Sequence, residues 1–216
     1  MGRDETGNSF LDNILGKTRR RKPAEAVLPP NSTLGMLDRL HAGEHPDFCL
    51  YLRPAGGGAI VNTGPLAVDL EDLLGKALAP LPMVVLDEYG RGPSDSPLPD
   101  EAFLLLANKA RILCLAPTAD ARFVLRLRII KALGPLSRCI FLMPEAGTLG
   151  SADWPGVWPA AKEAVGSLGI ELSGYTPGGW LFRIDKGGKA VTFRPIVNPN
   201  PEKIARALEG ICGEME

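Results

Sequence analysis

From Phe48 onward, uninterrupted apolar runs alternate with stretches whose apolar residues recur at helical spacing. Four runs, Phe48–Leu52, Met83–Leu86, Ile112–Ala116 and Cys139–Met143, are continuous rather than alternating. Strands buried on both faces have that pattern. Between them, Leu66, Leu70, Leu73, Leu74 and Leu78 fall near one helical face and predict a helix over 66–78. A second helix is predicted over Asp100–Lys109, with Asp100 as its N-cap. A third covers Ala121–Leu133 and stops at Gly134 and Pro135. Trp158–Leu168 predicts a further helix that leads to a short strand near Ile170–Leu172. Trp180–Ile184 and Ala190–Ile196 flank Asp185–Lys189, where Gly187 and Gly188 signal a hairpin turn. Asn200, Pro201 and Glu202 open a last helix, with proline where no amide is needed and an acid at the positive end of the dipole.

Strands alternating with helices define an α/β protein. The expected architecture is a flavodoxin-like, doubly wound, mainly parallel sheet with a C-terminal β-hairpin and helix. Ligand sites in such sheets lie beyond the carboxyl ends of the strands, where the strand order reverses. Here that means the loops after Leu52 and Ala116. Residues 1–46 read as a partly disordered arm or linker and residues 47–216 as the α/β domain. Within the arm, Phe10, Leu11, Ile14 and Leu15 suit one or two amphipathic turns, and Lys17–Lys22 places five basic residues in six. Such a run is either a solvated charged segment or a contact for nucleic acid or an anionic membrane surface. Asn31 to Leu40 suits a short helix capped by Asn31 or Ser32.

Charge changes the picture little. The chain has 24 basic and 25 acidic residues, a net charge of −1, which excludes a generic nucleic-acid binder. Cys49, Cys114 and Cys139 lie inside apolar runs, and no CxxC spacing exists, so the four cysteines read as reduced thiols. His41 and His45 have ligand-like spacing. Gly43 and Pro46 break the helix that spacing requires, so no metal site is expected. No apolar stretch approaches the roughly 20 residues of a membrane span. The first residues are too polar for a secretion signal, and the expected location is cytoplasmic.

Three segments hold candidate chemistry. Arg53 with Gly56, Gly57 and Gly58 forms a loop whose backbone amides can approach a phosphate, although neither standard nucleotide fingerprint is present. Asp87, Glu88 and Arg91 follow the second apolar run, where a carboxylate can bind a ribose or act as acid or base. The helix over Ala121–Leu133 carries Arg122, Arg126, Arg128 and Lys131 and no acid. Arg122 and Arg126, four apart, are expected to share a face that meets an anionic partner. The alternative is that their stems lie over apolar surface with the heads in water.

The segments FCLYLRP, PMVVLDEYGRG, NKARILCLAP, LSRCIFLMPE and GWLFRID together resemble bacterial TIR-like domains, over roughly residues 47–196. The similarity is to the group often found as soluble parts of bacterial membrane proteins. That resemblance implies a flavodoxin-like sheet, with the loop Tyr89–Ser96 serving in assembly. Active members cleave NAD with a glutamate on the helix after the strand matching Ile112–Ala116. Arg126 falls at or near that position, and no Asp or Glu occurs from Ala121 through Pro144. An arginine has the wrong sign to stabilise a cationic transition state. The resemblance therefore implies a catalytically degenerate module that binds a protein partner, a second copy of itself or a nucleotide, in a setting such as bacterial defence or toxin–immunity. The alternative is an NAD glycohydrolase or related nucleoside-processing enzyme with a displaced acid, for which Glu88, Asp120 and Glu145 are the candidates. NAD is the one cofactor this reading brings in.

Overall fold

The computed structural model describes residues 32–54, 60–62, 67–86, 98–146 and 153–213. In chain order the elements are α1 (Thr33–His41), β1 (Cys49–Leu52), β2 (Ile60–Asn62), β3 (Ala67–Asp69), α2 (Leu70–Leu78), β4 (Met83–Leu86) and α3 (Asp100–Lys109). Then follow β5 (Ile112–Leu115), α4 (Ala121–Leu133), a 3-10 turn (Pro135–Arg138), β6 (Cys139–Met143), α5 (Trp154–Gly166), β7 (Trp180–Ile184), β8 (Ala190–Pro195) and α6 (Pro201–Cys212).

Six strands form one mixed sheet in the order β4-β1-β5-β6-β7-β8. The first four are parallel, and β7 and β8 run antiparallel as a terminal hairpin. Strand order reverses after β4, so the chain's switch point lies between β1 and β5. Right-handed crossovers then place connections of opposite travel on opposite faces. The cores follow that rule. Leu50, Leu52, Val84, Leu113, Leu115 and Phe141 face α1, α3, α4 and α5. On the other side Tyr51, Cys114, Ile140 and Leu142 face α2 and α6. The period of two in side-chain direction explains why continuous apolar runs were needed.

Several local devices match the residues that produce them. Ser32 caps α1 by accepting from the Gly35 amide at 3.0 Å. Gly134, at φ +87°, ends α4 in the left-handed conformation that an L side chain resists. Asn200 caps α6 through the Lys203 amide at 2.9 Å. Phe141, Phe182 and Phe193 stack across β6, β7 and β8 with centroids 5.6 and 5.5 Å apart, tying the hairpin to the parallel strands.

Other elements differ from expectation. Helix α1 buries Met36, Leu37 and Leu40, and Thr33 donates to the Val85 carbonyl, so this part of the arm is built into the body. An antiparallel pair, β2–β3, occupies part of the expected loop after Leu52 and the start of the expected helix over 66–78. Three-residue strands are too short for periodicity to reveal. Asp100 is the first residue of α3 and Pro99 its N-cap, because the Asp100 carboxylate is drawn to Arg126. Helix α5 begins at Trp154 rather than Trp158. Ile170–Leu172 is reduced to a single bridge from Glu171 to Lys189.

Candidate functional site

The carboxyl edge of the parallel strands is where this topology puts ligands. At the end of β1 the Arg53 amide extends the ladder to the Leu86 carbonyl. Its guanidinium forms a two-pronged ion pair with Glu71 in the first turn of α2, with Nε 2.5 Å from Oε1. Both side chains are mostly buried, so the switch point carries a neutralised pair. A phosphate bound by Arg53 would compete with Glu71 for the guanidinium. Gly56, Gly57, Gly58, Asp87, Glu88 and Arg91, and with them the loop Tyr89–Ser96, lie outside the described residues.

Beyond β5, Asp120 is the N-cap of α4. One carboxylate oxygen accepts from the amides of Arg122 at 2.9 Å and Phe123 at 3.2 Å. Those bonds hold it against the helix end, the ordinary work of an N-cap aspartate. Beyond β6, Glu145 is half-buried, and burial pushes its carboxyl above the usual range. Tyr175 stands beside it and donates to the Pro144 carbonyl at 2.8 Å. Burial, and then the negative charges of Glu145 and Asp153, push the Tyr175 hydroxyl up to about 12. Gly179, at φ +67°, lets the segment before β7 close over this end. A side-chain carbon there would lie 2.9 Å from the Glu145 amide and the Met143 carbonyl.

Helix α4 does not present its arginines on one face. Arg122 and Arg128 point outward, whereas Arg126 is only 4% exposed. The Arg126 guanidinium donates to Asp100 at 2.6 Å and to the Leu98 carbonyl at 2.9 Å, and lies 4.3 Å from the centre of the Phe103 ring. The expected Arg122–Arg126 docking pair is therefore corrected: a guanidinium buried within the fold and held there by Asp100 and Leu98 does not share an outward face with Arg122. The outward face instead runs Arg122, Leu125, Arg128, with Leu125 42% exposed. A groove of about 390 Å³ separates it from Ala164 of α5 and Ser167, the residue that ends that helix. Trp154 and Trp158 are both buried and pack into the core. Trp158 donates to the Ser173 carbonyl at 3.0 Å.

Glu71 was not singled out from sequence, although it is a mostly buried carboxylate at the switch point. It reads as an acid favoured at a helix start. Its contact with Arg53, 18 residues earlier, exists only once β1 and α2 are packed. Among the described residues no group of three or more His, Cys, Asp or Glu side chains could hold a metal ion. None of the described helices is long and apolar enough to cross a membrane.

The fold and site define a mixed, mostly parallel α/β protein with helices on both faces of the sheet. No protein-family model matches the chain, and no curated protein or solved structure matches it.

Proposed function

We propose that this chain is a binding module of TIR-like, flavodoxin-like kind that does not hydrolyse NAD, and that the α4–α5 face docks an acidic, partly apolar protein segment. One observation carries the reading. Arg126, which falls at or near the position to which the resemblance assigns a catalytic glutamate, is anchored to Asp100 and Leu98, while the outward face of the same helix carries Arg122 and Arg128 around an exposed leucine. The order β4-β1-β5-β6, with its reversal at β1, supports the flavodoxin-like part. The docking part is supported by charge and shape together: two cations flank Leu125 beside a groove floored by small residues. An acidic amphipathic helix meets both demands, with carboxylates on the arginines and an apolar residue in the groove.

Fluorescence anisotropy with a labelled peptide of repeated Glu-Glu-Leu-Leu tests this, alongside chromatography for nicotinamide released from NAD. Saturable, salt-sensitive binding is expected, weakened about tenfold or more by Arg122→Glu with Arg128→Glu, and no nicotinamide. Binding unchanged by the charge reversal overturns the docking face. Nicotinamide release that Glu145→Gln abolishes makes the protein an enzyme with a displaced acid and overturns the module.

A further inference from the structure

At the amino edge of the sheet, opposite the switch point, a cavity of about 460 Å³ opens between the last turns of α2 and α6. That volume falls within the roughly 300–1,000 Å³ typical of small-molecule sites. Its walls are apolar: Leu78 and Leu81 on one side, Ile112 at the base, Leu208 on the other. Two opposite charges line it as well, Arg111 and Glu209.

Arg111 is held loosely. Its Nη1 is 3.6 Å from Asp47, with the two side chains 64% and 72% exposed, an arrangement worth little and easily exchanged. Glu209 stands exposed on the last turn of α6. The carbonyl ends of α2 and α6 both finish at this cavity, Leu78 on one and Cys212 on the other, and add negative partial charge. The site thus pairs one anion-binding group with a carboxylate and two helix ends that favour a cation, around an apolar interior.

We propose that this cavity binds a zwitterion with an apolar body, an α-amino acid with a large apolar side chain. The carboxylate would meet Arg111, the ammonium would meet Glu209 and the helix ends, and the side chain would fill the space between Leu78, Ile112 and Leu208. Cys212, in the cavity wall, supplies an independent reporter. A bound side chain shields its thiol from alkylation.

Calorimetry with L-phenylalanine, glycine, 3-phenylpropionate and phenethylamine on the full chain tests the assignment. L-phenylalanine is expected to bind and to slow alkylation of Cys212 by N-ethylmaleimide, read by mass spectrometry. Removing the ammonium, the carboxylate or the apolar body should each weaken binding about tenfold or more. Arg111→Gln should remove the advantage over phenethylamine, and Glu209→Gln the advantage over 3-phenylpropionate. Both exchanges lie at the surface and leave the apolar packing in place. No binding of L-phenylalanine at millimolar concentration overturns the proposal. So does 3-phenylpropionate or phenethylamine binding as tightly, which would make this a simple carboxylate or amine site.

Discussion

The guanidinium of Arg126 lies inside the layer between α3 and α4, a place where an unpaired charge costs several kcal/mol. It is tolerated because every feature around it answers the charge. Asp100 supplies a carboxylate, Leu98 a carbonyl, and Phe103 the face of an aromatic ring. Removing the side chain leaves a cavity, an unmet carbonyl and a lost ring contact. Arg126→Ala is therefore expected to lower unfolding free energy by about 2–4 kcal/mol, measured by urea denaturation. A loss below about 0.5 kcal/mol would mean that the arginine is an ordinary surface residue. Arg122→Ala, on the outward face, serves as the control and should fall within that smaller range.

At the scale of elements, the β7–β8 hairpin shows how strain is absorbed. Its register shifts between Leu181 and Arg183, where β8 carries one residue more than β7 needs. Thr192 in this bulge sits at φ +53°, a conformation that β-branched residues resist. Its hydroxyl accepts from Arg183 Nε at 3.2 Å. A left-handed non-glycine residue costs about 1–3 kcal/mol, and one such hydrogen bond returns about 0.5–1.5 kcal/mol. Asparagine tolerates the conformation and keeps an acceptor. Thr192→Asn is therefore expected to raise stability by about 1 kcal/mol, visible as a higher thermal midpoint. A lower midpoint would show that packing by the Thr192 methyl outweighs the strain. At the far end of the hairpin Gly188, at φ +85°, brings its backbone against the Gly169 carbonyl. A side-chain carbon there would lie 2.2 Å from that oxygen, so this turn admits no other residue without moving.

Across the whole molecule, stability should depend on pH through the end of β6. The Glu145 carboxyl is raised in the folded state by burial, and its charge in turn raises the Tyr175 hydroxyl. A raised acid contributes its stability below the unfolded value, about 4.3, and loses it as pH rises through the folded value. Ionised Glu145 is thus a liability at neutral pH. Glu145→Gln should gain in urea midpoint relative to the parent between pH 4 and pH 7. A difference that stays constant over that range would place the carboxyl in open water. Much of the architecture is legible in the sequence. The bounds of β4, α3, α4, β6 and β7 follow from apolar period, Gly134 and the charged residues at helix ends. Ser32, one of the two caps the sequence offered for α1, and Asn200, which opens α6, are short polar side chains before helical runs, and both cap in the structure. These are contacts over a few residues, where the chain's own geometry decides who meets whom. Tertiary packing alone set the rest. Arg53 found Glu71 18 residues away, and Arg126 found Asp100 26 residues away, because the sheet order brought α2 over β1 and α3 beside α4. Which of four basic residues on one helix is buried and which face water depends on the neighbour across the layer, and the helix's own period cannot encode that neighbour.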